Sequence, residues 1–240
     1  MKNMLGKSTL QKLGGLLKDF GDKVSGPDGE LWVNAFVPAF GKFLRESPSS
    51  AECPDPFRKE KRSWQKFYKS FFRIDADFSD VTVPKRPGPA KDWQLIIVAK
   101  GMTPQQLYNK CKELFPCWCW TNENLNEIVE SERTTKDGHY AVWVRTRVEA
   151  DEEFKNLSAN DLKKQNHKGI TLEERLALEL HYFWKTRGKH LDIQNVTLCT
   201  GSRYSDGLVP CVYWDDDRLS VHWYGHGNAC GSLRSRVAVS

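Results

Sequence analysis

The side chains with the most promise for chemistry gather near the carboxy end: Cys211, His222, His226 and Cys230, with the acidic run Asp215-Asp216-Asp217 among them. Thiols and imidazoles of this kind hold zinc or act as nucleophile and base. Their spacing argues against both roles. His222 and His226 stand four apart, but in a stretch whose period is that of strand and loop, so they do not share the helical face that an HExxH pair exploits. The run Cys117-Trp118-Cys119-Trp120 is a CxC without a second pair, which fits structural cysteines beside tryptophans better than a redox or metal centre. Three consecutive acids can bind calcium, yet between two strands they read more simply as a solvated turn. No catalytic residue, no metal and no cofactor is expected.

Composition narrows the class further. The chain has 240 residues, enough for a sizeable core, and carries a net charge of +5 spread along its length, which permits nucleic-acid or anionic partners without demanding them. Seven cysteines, an odd number without repeated CxxC spacing, point to a reducing compartment and not to a disulfide framework. No stretch approaches the roughly 20 apolar residues of a membrane span, and the first residues do not read as a secretory signal, so a soluble, intracellular protein is expected. Nine tryptophans exceed what a routine core requires.

The elements that must position these residues can be read from periodicity. Leu10, Leu13, Leu16, Leu17 and Phe20 recur at helical intervals behind Ser8, whereas Leu31 to Leu44 is ambiguous because Pro38 interrupts it. Ser47 to Pro56 reads as a linker. Trp64, Phe67, Tyr68, Phe71 and Phe72 make the aromatic face of an amphipathic helix. The prolines of Val83 to Pro89 exclude helix, and the main domain boundary is placed there, giving a helical segment 1–90 and a domain 91–240. Leu95 to Val98 and His139 to Arg147 suit strands. Thr103-Pro104-Gln106 and Thr171 with Glu174 are capping boxes, the first opening a helix to about Phe115, the second a helix with Leu172, Leu176, Leu180, Phe183 and Trp184 on one stripe, ending near Gly188. Thereafter Val196 to Cys199, Val209 to Trp214, Leu219 to Tyr224 and Leu233 to Val239 read as short strands.

The tail has an unusual residue bias. The last Met, Glu, Lys and Gln are Met102, Glu179, Lys189 and Gln194; beyond them Tyr, Ser, Asp, Cys, His, Gly, Asn and Ala are scattered through a framework of Gly, Val, Pro, Trp, Leu and Arg. A codon AAC or AAT with randomised adenines yields the scattered types but never Lys, Glu, Gln or Met, while Gly201, Gly207, Val209, Pro210, Val212, Trp214, Leu219, Val221, Trp223, Leu233 and Val237 can be encoded without adenine. Strand propensity also disfavours Lys and Glu, so a plain strand bias remains the rival explanation.

On Gly201-Ser202-Arg203, Asp206-Gly207, Trp214, Trp223, the capped helix before them and the closing LRSRVAVS, the region from Ile170 to Ser240 resembles the carboxy-terminal part of diversity-generating retroelement variable proteins. That resemblance implies an α+β protein whose C-type-lectin-like domain, related to formylglycine-generating enzymes, has short mixed or antiparallel strands and two or more helices. It also implies a variable region over about 197–240 that binds an unknown macromolecular ligand, most simply a protein. The variable positions would be Tyr204, Ser205, Leu208, Cys211, Tyr213, Asp215, Asp216, Ser220, His222, Tyr224, His226, Asn228, Ala229 and Cys230. Alternation supports a shared face, since Ser220, His222 and Tyr224 should point away from Leu219, Val221 and Trp223, and Cys211 and Tyr213 away from Pro210, Val212 and Trp214. Two other readings stay open: a nucleic-acid module using Lys59, Arg62, Lys66 and Lys69 beside the aromatic stripe, and an oligomerisation or docking arm made of the same amino-terminal helices.

Overall fold

Helical periodicity at the amino end becomes two helices, α1 (Lys7–Val24) and α2 (Gly29–Arg45), in a computed structural model that describes residues 7–45 and 55–240. The expected linker lies mostly outside the described residues. Phe20 of α1 meets Phe36 of α2 at a ring separation of 4.1 Å, and Phe36 stacks on Phe40 at 5.0 Å across Pro38, so α2 runs through the proline that left this stretch ambiguous. Gly29 is required where the helices turn, because a Cβ there would lie 1.9 Å from the Val24 carbonyl oxygen. Leu16, Leu17, Leu31, Trp32 and Val37 of this pair are exposed.

Contacts divide the chain after Pro56, not near residue 90. The reason is α3 (Arg58–Phe72), whose Trp64, Phe67 and Tyr68 are 1%, 0% and 0% exposed and belong to the main core of the larger unit. Trp64 Nε1 donates to the Leu95 carbonyl at 2.8 Å and Tyr68 Oη to that of Ile97 at 2.9 Å, fixing the helix to the first strand. The proline segment does not divide the chain: Val83 packs against the main core, and Trp143 Nε1 donates to the Pro84 carbonyl.

The larger unit is mixed α+β. Strand β1 (Trp93–Val98) pairs antiparallel with β4 (Tyr140–Arg145), and Val239 returns beside Trp143. Between them lie α4 (Pro104–Leu114), β2 (Cys117–Cys119), the single turn α5 (Leu125–Ile128) and β3 (Val129–Ser131), which pairs with β6 (Ser202–Tyr204). A 3-10 turn (Glu152–Phe154) and α6 (Ala159–Lys164) precede α7 (Leu172–Thr186). The capping boxes at Thr103 and Thr171 form as read. Arg187 takes the left-handed position that ends α7, at φ 60°.

Strands β5 (Val196–Leu198), β7 (Val209–Asp215), β8 (Arg218–Tyr224) and β9 (Leu233–Ser235) join β2 in a five-stranded sheet of order β2-β8-β7-β5-β9. The β7–β8 and β5–β7 pairs are antiparallel; β2–β8 and β5–β9 are parallel. The predicted strand Leu233 to Val239 is regular only to Ser235 and then continues as isolated bridges at Val237 and Val239. Helix α7 is buried from Leu172 to His181, charged residues included, and packs against β1, β7, α3 and α4. No helix among the described residues is long and apolar enough to cross a membrane.

Candidate functional site

The β7–β8 register sets Cys211 opposite His222, Tyr213 opposite Ser220 and Val209 opposite Tyr224. Directly paired residues of an antiparallel ladder share a face. The alternation read from the sequence is therefore realised: Val212, Leu219 and Val221 enter the main core with Trp214 and Trp223 packed against it, while Cys211, Tyr213, Ser220, His222 and Tyr224 project from the opposite face. Strand β2 extends that outer face, because Trp118 pairs with Ser220 while Cys117 and Cys119 pair with Leu219 and Val221.

Half of the outer face is covered and half is open. Towards β5 and β9, Val196, Leu198, Val209, Cys211 and Leu233 form a second small core under Ala159 of α6, with Tyr213 and Tyr224 packed on its edge. Towards β2, the Trp118 indole is 37% exposed and stacks on His222 at 5.4 Å and 27°, and the Arg218 guanidinium lies 5.7 Å from the same ring. These rings are rigid and amphipathic, and they give contact area at low entropic cost. His222 Nδ1 accepts from the Trp223 backbone N–H at 2.8 Å, which orients its ring.

Two loops end the face. Asp216 and Asp217 adopt φ 47° and 58° between the paired Asp215 and Arg218, a two-residue hairpin turn with both central residues left-handed, a conformation Asp accepts more readily than most residues. Beyond the seven residues of β8, roughly 20 Å away, the loop 225–232 exposes His226, Asn228, Ala229 and Cys230. It is tied down by Asn160 N–H donating to the His226 carbonyl and Asn228 N–H to that of Gly225.

The structure does not bring all fourteen expected positions to this surface. Tyr204 is 3% exposed and stands edge-on to Trp120 in the main core, and Leu208 packs against that core as well. Ser205 is exposed, but at the β6–β7 turn. Cys211 and Ser220 lie on the correct face yet are 0% and 2% exposed, beneath their neighbours, so an arriving ligand does not reach them. Tyr213, His222 and Tyr224 are half-buried, and Asp215, Asp216, His226, Asn228, Ala229 and Cys230 are exposed. Trp118 and Arg218 were missed, although strand alternation through Cys117-Trp118-Cys119 already separates the tryptophan from both thiols.

Cys211, His222, His226 and Cys230 differ in burial as well as position. Among the described residues no three His, Cys, Asp or Glu side chains gather in a way that could hold a metal. Burial pushes the thiols of Cys111, Cys199 and Cys211 up, so all three stay protonated. Cys230 behaves differently: slight burial opposes ionisation, but hydrogen bonds with Ser232 and from the Leu233 backbone outweigh it and hold the thiol below its usual range. Brief alkylation of the native protein followed by peptide mapping is expected to find Cys230 modified and Cys111, Cys199 and Cys211 unmodified. Labelling of native Cys211 would show that the covered half of the face is open.

Compared with known proteins, the chain matches no family, no curated protein sequence and no solved structure. Its class is thus defined by its own geometry: a mixed α+β unit with an aromatic, partly open face on its five-stranded sheet.

Proposed function

We propose that this protein is a non-catalytic binding protein, a variable protein of the diversity-generating retroelement kind, whose C-type-lectin-like unit presents the open outer face of the β2-β8-β7 sheet and the loop 225–232 to a macromolecular ligand. One observation carries the reading. The two interleaved residue alphabets of the tail separate in part: Val212, Leu219 and Val221 are buried in the main core and Tyr213, His222, Tyr224, His226, Asn228, Ala229 and Cys230 retain access to solvent, with Tyr204, Cys211 and Ser220 as the buried exceptions. Side chains that change between variants must lie where change does not disturb packing. A protein surface is the simplest partner, because Tyr, His and small polar residues on a rigid frame are the composition of paratopes.

The test is the encoding gene and its flanking DNA. A nearby near-repeat with degenerate adenines is expected to coincide with codons 213, 222, 224, 226 and 228–230, beside a reverse-transcriptase gene. If no near-repeat exists, diversification is wrong and the tail has only a strand bias.

Burial makes a second, biophysical forecast. His222→Ala, His226→Ala and Asn228→Ala should each change the unfolding free energy by no more than about 0.5 kcal/mol. Cys211→Tyr, which the same codon chemistry permits, inserts a ring beneath α6 and should cost about 1–3 kcal/mol through overpacking. Urea melts of the four variants decide it; a tolerated tyrosine at 211 would return that position to the variable set.

A further inference from the structure

Helix α3 has a second face that the sheet surface does not use. Lys59, Arg62 and Lys66 follow one another at three- and four-residue spacing with Ser63 beside Arg62, so they line one side of the helix, away from the buried Trp64, Phe67 and Tyr68. Across from them Trp184 and Lys185 of α7 complete a cleft of about 630 Å³. That volume lies within the roughly 300–1,000 Å³ of sites that take small ligand groups.

The lining is chemically one-sided. Four cations, a serine hydroxyl and an indole face the space, and no carboxylate does. None of the four cations forms an ion pair among the described residues, whereas Lys69, which the sequence grouped with them, is bound to Asp75 at 3.0 Å and does not line the cleft. Beneath the cleft, Ser63 Oγ and His181 Nε2 are hydrogen-bonded at 3.1 Å, and the His181 ring stacks on Trp64 at 4.1 Å, which ties the two helices rigidly together. Trp184 is half-buried against Phe67, leaving part of its ring to the cleft.

We infer that this cleft between α3 and α7 binds single-stranded nucleic acid, its phosphates along Lys59, Arg62, Lys66 and Lys185 and one unpaired base against the Trp184 indole. From Lys59 to Lys66 the stripe rises about 10 Å at about 1.5 Å per residue. The tryptophan decides between single and double strands, because only an unstacked base offers its ring to an aromatic side chain. No residue is shared with the sheet face, so this assignment stands or falls independently of the function proposed above.

The test uses the full chain and a labelled oligothymidylate of about twelve nucleotides, read by fluorescence anisotropy, with a duplex of equal length and inorganic polyphosphate as competitors. Four phosphate contacts at about −0.7 each give a log–log salt slope near −2.8, or about fifty-fold weaker binding between about 50 and about 200 mM salt. The doubly substituted R62A/K66A, both at exposed positions, should keep the wild-type melting curve and flatten the slope by about 1.4. Trp184→Leu should leave the slope alone and remove the preference for single strands over duplex. Absence of salt-dependent binding, or a wild-type slope in R62A/K66A, overturns the site. Equal competition by polyphosphate overturns its assignment to nucleic acid.

Discussion

Asp192→Ala is expected to lower the unfolding free energy by about 3–5 kcal/mol, the cost of leaving buried charge uncompensated. Asp192 is fully buried and uses both oxygens: Oδ1 accepts from Arg236 Nη2 at 2.6 Å, and Oδ2 from Arg175 Nε at 2.9 Å and Thr197 Oγ1 at 2.5 Å. Arg175 also donates to Glu179 at 2.8 Å, and Glu179 meets His190 Nδ1 at 2.9 Å. Two guanidinium groups and two carboxylates are therefore balanced in a space where Arg175 and Glu179 are 0% and Arg236 1% exposed. Without Asp192, one carboxylate remains for two buried arginines. Alanine also lacks the short polar side chain that lets aspartate hold the left-handed conformation found at residue 192, φ 54°. Asp192→Asn separates the contributions, since asparagine tolerates the left-handed region and keeps an acceptor but not the charge. Urea midpoints with unchanged slopes measure both variants. A loss below about 1 kcal/mol for the alanine variant would mean that the arginines find water, and that the network is not the dry cluster described.

That network shows what a local reading of sequence misses. Arg175 and Glu179, four apart on α7, have the spacing of an exposed helical ion pair, and nothing in their neighbourhood announces that the helix is covered on every side. Their partners Asp192 and Arg236 come from the loop after α7 and from the carboxy-terminal segment. Capping boxes, the aromatic stripe of α3 and the alternation of β7 and β8 were legible because each is written within a few residues. The partners were not. Parallel pairing of β2 with β8 joins Trp118 to Ser220, and no period in either segment specifies it.

The candidate face divides along the same line. Alternation assigned Cys211, Tyr213, Ser220, His222 and Tyr224 to one side correctly, since side is a local property of a strand. Depth is not local. Cys211 is lost from the surface because a helix of six residues, α6, brings Ala159 over it, and Ser220 because the neighbouring rings close around it. A signal for α6 did exist: Ser158 and Asp161 form a capping box that the sequence reading passed over. Tyr204 fails for another reason. Its strand belongs to the small β3–β6 pair, which turns the ring toward Trp120 and not toward the open face.

Trp64→Ala should be comparably costly, about 3–5 kcal/mol for a buried tryptophan reduced to alanine, and it tests the division of the chain directly. The indole is 1% exposed, stacks on His181 at 4.1 Å and meets Phe67 edge-on at 5.4 Å, while its N–H reaches the Leu95 carbonyl at 2.8 Å. Truncation opens a cavity between α3, α7 and β1 and leaves that carbonyl without its side-chain donor. Trp64→Phe keeps most of the ring and loses the hydrogen bond, so a loss nearer about 1–2 kcal/mol is expected. Were α3 part of an amino-terminal segment separable at residue 90, neither substitution would move the unfolding of the sheet-bearing unit. With α3 inside the main core, both must destabilise it. Near-ultraviolet circular dichroism reads the tertiary packing of that unit, and an unshifted transition in the alanine variant would put the boundary back at the proline segment and make α3 an arm. A shift of the expected size makes α3 the wall that holds α7, and with it the inner side of the five-stranded sheet.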